Sequence, residues 1–242
     1  MLYGIIADIH GNLEALGAVL SQLQKAEKIV CLGDLVGYGP NPDECVERIR
    51  DLFIPTVAGN HDKAVIGERE LTWFSQSARE AIIWTQMKIY QEELDYLKSL
   101  PLVLGEDNFQ FVHGSLREPT EEYLYSISDA LPTFERMKEP LCFVGHSHIP
   151  LFIGSRKDGN YEGRGLQDGE EVVIDDYEKV IINVGGVGQP RDGDARASFG
   201  LYDSGRKIFS LHRIAYDVEA VQDKMRKAGL PVPLIERLTY GK

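Results

Sequence analysis

Leu2-Tyr3-Gly4-Ile5-Ile6-Ala7-Asp8-Ile9-His10-Gly11-Asn12 opens with an apolar run and stops at two metal-competent side chains. Residues 2–7 read as a short buried strand. Asn12 then reads as the cap of a helix whose apolar face is Leu13, Leu16, Leu20 and Leu23. The unit repeats. Residues 28–32 form a second strand that ends in Gly33-Asp34. Asn41-Pro42 opens the next helix, with proline in the first turn, where its missing N–H leaves no bond unmade. Residues 53–58 read as a third strand, ending in Gly59-Asn60-His61-Asp62. Strands alternating with helices of this length predict right-handed crossovers and a parallel sheet.

Further along, residues 62–100 are helical in character, with Ser77-x-x-Glu80 as a capping-box pattern ahead of Ala81, Ile82 and Ile89. Short strands follow at 102–104 and 109–112, and a helix near 129–137 leads to a strand at 141–144. After Pro150 the texture changes. Residues 151–154, 171–175, 179–184, 198–203 and 207–214 read as consecutive, antiparallel strands, with Asp203-Ser204-Gly205-Arg206 as a hairpin turn. Residues 155–169, polar and glycine-rich, read as a long mobile hairpin loop. A last helix, near 218–227, closes the chain. With no linker and no internal repeat, the expectation is one domain spanning 1–242.

Composition narrows the function classes. The chain has 242 residues, 43% hydrophobic and 26% charged, which permits a sizeable core. Its net charge of −12 opposes binding of duplex nucleic acid, which needs a basic stripe. A small phosphorylated partner stays compatible, because bound divalent cations reverse the local field. No apolar run approaches the roughly 20 residues that span a bilayer. By Tyr3 the chain is already in a strand, so no signal peptide is expected. Cys31, Cys45 and Cys142 lack metal-type spacing, and Cys31 and Cys142 read as buried thiols, which points to a reducing cytoplasm. A homo-oligomer is compatible with the sequence, which does not specify an oligomeric state.

Five of the six histidines share one setting. Asp8-Ile9-His10, Gly33-Asp34, Gly59-Asn60-His61-Asp62, His113-Gly114 and Gly145-His146-Ser147-His148 each follow a strand. Ligands of open α/β sheets bind at the carboxyl ends of strands, so the five clusters are expected to converge. The residue types are Asp oxygen, His nitrogen and Asn carbonyl, without thiolate, a set suited to hard or borderline divalent cations. Seven candidate ligands exceed one closed tetrahedral site and suit two cations with open positions. Two such cations about 3.5–4 Å apart clamp an in-line displacement at phosphorus.

These five motifs resemble the signature of the calcineurin-like metallophosphoesterases. The resemblance covers residues 1–148, and the strand-rich remainder suits that family's two-sheet core. It implies an α/β fold with mixed sheets, arranged as a four-layer α/β/β/α sandwich. It also implies one metal held by Asp8, His10, Asp34 and His148, and a second held by Asp34, Asn60, His113 and His146, with Asp34 as the bridge. A hydroxide between the metals is then the nucleophile. His61 lies beside it, stabilising developing charge and protonating the leaving oxygen. Manganese is the metal the resemblance favours, while these donors also accept Fe, Zn or Ni.

The sequence also departs from the pattern. In related protein phosphatases and symmetrical dinucleoside tetraphosphatases an Asp-Arg pair follows the second motif, and its arginine grips phosphate. Here Gly37-Tyr38 stands in that place. The departure favours a phosphodiesterase acting on a small or nucleotide-like diester. A phosphomonoesterase or dinucleoside polyphosphate hydrolase is the alternative, and a non-catalytic scaffold is disfavoured by the completeness of the motifs. Gly185-Gly186-Val187-Gly188-Gln189-Pro190-Arg191 reads either as a tight turn between strands or as a loop carrying Arg191 to the metals as a phosphate fork. Asn183 and Arg196 are weaker candidates. Trp73, Phe74 and Trp84 read as core or subunit interface, and His212 as structural.

Overall fold

The computed structural model describes residues 1–106 and 108–242. One sheet is built from β1 (Leu2–Ile6), β2 (Lys28–Cys31), β8 (Glu171–Val173), β10 (Ala197–Asp203) and β11 (Ile208–Ile214), in the order β2-β1-β10-β11-β8. The other uses β3 (Val103–Glu106), β4 (Phe109–Val112), β5 (Leu141–Val144), β6 (Leu151–Ser155), β7 (Tyr161–Gly165) and β9 (Lys179–Asn183), in the order β3-β4-β5-β9-β6-β7. Both sheets are mixed: in the first, β1 runs parallel to the edge strand β2 and the other pairs are antiparallel, while in the second β5 runs parallel to both β4 and β9 between antiparallel flanks.

Three apolar clusters separate four layers. Tyr3, Ile5, Phe109, Phe143 and Phe209 belong to the cluster between the two sheets. Outside the first sheet, Ile6, Phe199 and neighbours pack on α1 (Leu13–Gln22), α2 (Pro42–Asp51), α7 (Val218–Ala228) and α8 (Val232–Tyr240). Outside the second sheet, Val112, Val144 and Ile181 pack on Ala130 and Phe134 of α6 (Ile127–Arg136). The expected four-layer α/β/β/α order is therefore present. Each fully buried aromatic of the central layer contributes about 1.5–3 kcal/mol through apolar burial.

Local chemistry explains several elements. Asn12 caps α1, accepting from the Ala15 N–H at 3.0 Å, while Leu16 and Leu23 are buried as its apolar face demands. Pro42 sits in the first turn of α2. Asp203 Oδ1 accepts from the Gly205 and Arg206 N–H groups and closes the β10–β11 hairpin. All three cysteines are buried and free.

Five expectations need correction. Residues 53–58 do not form a sheet strand, only an isolated bridge between Thr56 and Cys31. Phe53 takes a φ of 53° and is 89% exposed, and Pro55 has no N–H to give a ladder. The cap of α4 (Gln76–Lys88) is Ser75, which accepts from Ala78, not Ser77. Residues 155–169 contain β7, paired along all five of its residues with β6, so this stretch is a hairpin strand and not a long loop. The half after Pro150 is not wholly antiparallel, because β9 joins β5 in parallel. Finally, α7 does not close the chain: α8 follows, buried through Leu234, Ile235 and Leu238.

Candidate metal centre

The carboxyl ends of β1, β2, β4 and β5, with the first turn of α3 (Asn60–Val65), meet at one place between the sheets. Asp8 Oδ1 lies 3.3 Å from His148 Nε2, and His10 Nε2 lies 3.1 Å from the same nitrogen. His113 Nε2 lies 3.0 Å from His146 Nδ1 and 3.3 Å from Asn60 Oδ1. Asp34 joins the two halves, with Oδ2 3.6 Å from His10 Nε2 and 3.4 Å from His113 Nε2. Its other oxygen accepts from the His61 N–H at 2.8 Å, which fixes the direction of the carboxylate. All seven candidate ligands are buried and brought together.

The backbone is bent for this purpose. Asp8, His10, Asp34, His146 and His148 have φ between 50° and 66°, and they are five of the seven non-glycine residues with positive φ among those described. Left-handed backbone costs a non-glycine residue about 1–3 kcal/mol, and such strain concentrates at functional sites. The glycines beside the ligands permit close packing of these turns. A Cβ at Gly59 would overlap Asp34 Oδ1, and one at Gly37, whose φ is 127°, would overlap the His61 ring.

Each of the four candidate ligand histidines is oriented by a backbone carbonyl. His10 Nδ1 lies 3.0 Å from Val36 O, His113 Nδ1 2.7 Å from Leu32 O, and His148 Nδ1 2.5 Å from Gln189 O. His146 uses its other nitrogen, Nε2, 3.2 Å from Glu121 O. A ring N–H donated to a carbonyl leaves the second nitrogen's lone pair facing the centre, the arrangement that second-sphere partners impose on metal-bound histidines. The Nε2 lone pairs of His10 and His148, 3.1 Å apart, repel unless a proton or a metal cation lies between them. Asp8 Oδ1 adds a buried carboxylate oxygen with no hydrogen-bond donor among the described residues. The donor set and its orphaned atoms therefore fit divalent cations.

Electrostatics agree with neutral ligands. Burial, partly offset by Asp34, lowers His10 well below its ordinary value. Burial likewise lowers His146 and His148 and brings His61 down to about 4. For His113 the same burial is outweighed by the Asp34 carboxylate, which raises it to about 9. In the metal-free state the His113–Asp34 contact is thus an ion pair, and a cation displaces that proton.

His61 packs edge-on to Phe74 and beside Tyr38, and its Nδ1 is buried without a hydrogen-bond partner among the described residues. Its ring nitrogen also comes within 4.8 Å of metal-competent atoms of His10 and Asp34. A cavity of about 270 Å³ opens above, lined by Asn60, His61, His146, Tyr38 and Arg191 among others. Arg191 donates to the Tyr38 hydroxyl at 3.2 Å, so an arginine from a distant loop reaches the side chain that replaces the missing Asp-Arg arginine. The loop carrying it is pinned over the site, with Val187 N–H donating to Ala7 O and Gly188 N–H to Asp8 O.

Asn183 donates to Gly145 O and Ser147 Oγ, supporting the turn that bears His146. Arg196 lies elsewhere, exposed and paired with Asp168 and Asp194. Trp73 is 75% exposed at the cavity mouth rather than in the core, while Phe74 is buried. His212 stacks on Phe199 within the first sheet. Asp62 is the residue whose role the sequence pattern left unassigned. Its Oδ2 accepts from the N–H groups of Asp34 and Gly59, and Oδ1 from Leu35, each at 2.9 Å, so it ties the second motif to the third.

Comparison with known proteins agrees with this geometry. A family model described as the calcineurin-like phosphoesterase superfamily domain matches residues 1–207. The chain is 41% identical over 248 aligned positions to an uncharacterized protein of Methanocaldococcus jannaschii, covering 100% of this chain and 98% of the relative. A crystal structure of a metallophosphoesterase from Sphaerobacter thermophilus superposes with a TM-score of 0.90 at 44% identity, over 100% and 99% of the two chains. A hypothetical protein from Pyrococcus horikoshii shares the fold at a TM-score of 0.82 and 20% identity, over 100% and 98%. The chain belongs to the calcineurin-like phosphoesterase superfamily. With that membership it is a hydrolase of phosphoric esters, in a family that works with divalent metal ions. Among the described residues, no helix is long and apolar enough to cross a membrane.

Proposed function

We propose that the protein is a phosphodiesterase acting on a small or nucleotide-like diester, built as one domain over residues 1–242 and working in the cytoplasm. Asp8, His10, Asp34 and His148 would hold one divalent cation, and Asp34, Asn60, His113 and His146 the other. The observation that carries the reading is Asp34, whose Oδ2 faces a histidine nitrogen of each set at 3.4 and 3.6 Å. Manganese is the working choice, with Fe, Zn and Ni also suited to these donors. When bound, two such cations supply a water of lowered pKa and offset charge on the phosphoryl oxygens.

The protein's own residues do the rest. Asp34 spaces the two ligand sets. The His61 ring N–H donates to the phosphoryl or leaving oxygen, and an anionic group seated against it raises its proton affinity from the low value that burial imposes. Arg191 grips a phosphate oxygen. The net charge of −12 supports a small substrate over duplex nucleic acid.

The test is hydrolysis of an aryl phosphodiester against the matching monoester, using protein reloaded with Mn²⁺. Preference for the diester supports the proposal. Preference for the monoester retains the site and sinks the phosphodiesterase reading.

A further inference from the structure

Of the candidate metal ligands, Asn60 and His146 line the cavity. Three guanidinium groups, from Arg69, Arg191 and Arg237, line the same space as His61. They converge in a chain whose net charge is −12, from three separate segments. Arg237 comes from α8, beyond the residues that the family model matches.

Arg69 is neutralised by Glu121. Arg191 is held by neutral groups alone, the Tyr38 hydroxyl and the Gln189 side chain. Gln189 Oε1 accepts from both Arg191 and Arg237, at 3.1 Å each. Arg191 also donates to the Tyr38 hydroxyl, and Arg237 to the main-chain oxygen of Lys242, the last residue. Arg191 Nε is buried with no acceptor among the described residues. Two like charges sharing one amide oxygen repel each other, and a buried donor left unmade costs about 1–3 kcal/mol. Both penalties vanish when an anion sits between the guanidinium groups.

Charge counting says which anion. The single charge of a reacting phosphodiester would be met at the metal centre, where two bound cations would offset it together with the carboxylates of Asp8 and Asp34. Arg191, with no ion-pair partner among the described residues, is then available to a neighbouring phosphate oxygen, and Arg237 lies beside it across the Gln189 amide. We propose that Arg191 and Arg237 form a second anion subsite, which takes a phosphoryl group of the substrate adjacent to the one that reacts. The ligand class is an ester with two linked phosphoryl groups, one over the metals and one on the arginine pair. The proposal rests on the phosphoesterase reading above and refines its substrate. Gln189 ties the two subsites together, since its carbonyl orients His148 while its side chain orients both arginines.

The test is calorimetric binding to the full-length, Mn²⁺-loaded protein of adenosine 5′-monophosphate and of α,β-methylene adenosine diphosphate. The two share base and sugar and differ by one phosphoryl group. The diphosphate analogue is expected to bind about tenfold tighter or better, the worth of one charge-assisted contact. Arg237→Ala and, as a milder change, Arg191→Lys should each pull that ratio toward one with metal content unchanged. Equal affinities in the unmodified protein overturn the proposal, and so does a ratio that Arg237→Ala leaves intact. Turnover of the aryl diester in the same preparations reports separately on the phosphodiesterase reading. Protein that shows the tighter binding but spares the diester upholds the subsite and removes only that reading.

Discussion

Replacing Asp62 by asparagine tests whether the second and third motifs are held together as described. The carboxylate accepts four backbone N–H groups: Asp34 and Gly59 on Oδ2, Leu35 and, at 3.4 Å, Val36 on Oδ1. Asparagine is nearly isosteric but offers one oxygen. Whichever way the amide turns, two of the four donors face an NH₂ group. If it turns toward the cheaper side, Leu35 and Val36 are stranded. An unsatisfied buried donor costs about 1–3 kcal/mol, so Asp62→Asn should destabilise the protein by roughly 2–6 kcal/mol. For a chain of this size each kcal/mol moves the thermal midpoint by about 2–4 °C, which puts the drop near 10 °C. Because the tie positions Asp34 and Asn60, metal content should fall with it. Calorimetric melting and metal analysis of the same preparation check both. A midpoint within about 2 °C of the parent, with full metal content, would refute the reasoning.

Asp34→Asn should reduce bound metal more than any other single ligand change, because one carboxylate faces both sets; metal analysis after dialysis checks it. His61→Ala should keep its metals and lower kcat by about 10²–10⁴-fold, the usual contribution of a positioned proton donor. Unchanged turnover removes that role. Acidification should unfold the metal-free protein early. His10, His61, His146 and His148 have folded values below the ordinary 6.5, reaching about 4 for His61. The unfolded chain therefore binds more protons between those values, so stability present above pH 6.5 is lost as pH falls toward 4. Denaturant titrations at stepped pH measure the slope, and a flat profile across that window contradicts it. Phe143→Ala should cost about 3–5 kcal/mol by opening a cavity between the sheets, read from the urea midpoint.

Much of the site was legible because its signals are local. Each candidate ligand lies in a short motif after an apolar run, most of them beside a glycine, so Asp8, His10, Asp34, Asn60, His113, His146 and His148 could be chosen from residue type and position. The structure brings together all seven. The same locality made the Asn12 cap and the β10–β11 turn readable. What escaped depends on distant partners. Residues 53–58 look like a strand by composition, yet Pro55 and the left-handed Phe53 permit only one bridge. The pairing of β7 with β6 is invisible in a polar, glycine-rich stretch whose alternation is weak. The helix α8 carried a usable signal, Pro231 and Pro233 ahead of Leu234, Ile235 and Leu238. Its functional residue, Arg237, is meaningful only beside Arg191, 46 positions earlier. Asp62 was masked by its own motif: in sequence it resembles another ligand, whereas its oxygens face backbone N–H groups.

The central claim is that Asp34 spans two cations, and anomalous diffraction from crystals of Mn²⁺-loaded protein tests it most directly. Two peaks about 3.5–4 Å apart are predicted, one against Asp8, His10 and His148, the other against Asn60, His113 and His146, with Asp34 touching both. A single peak, or two that do not share Asp34, would contradict it.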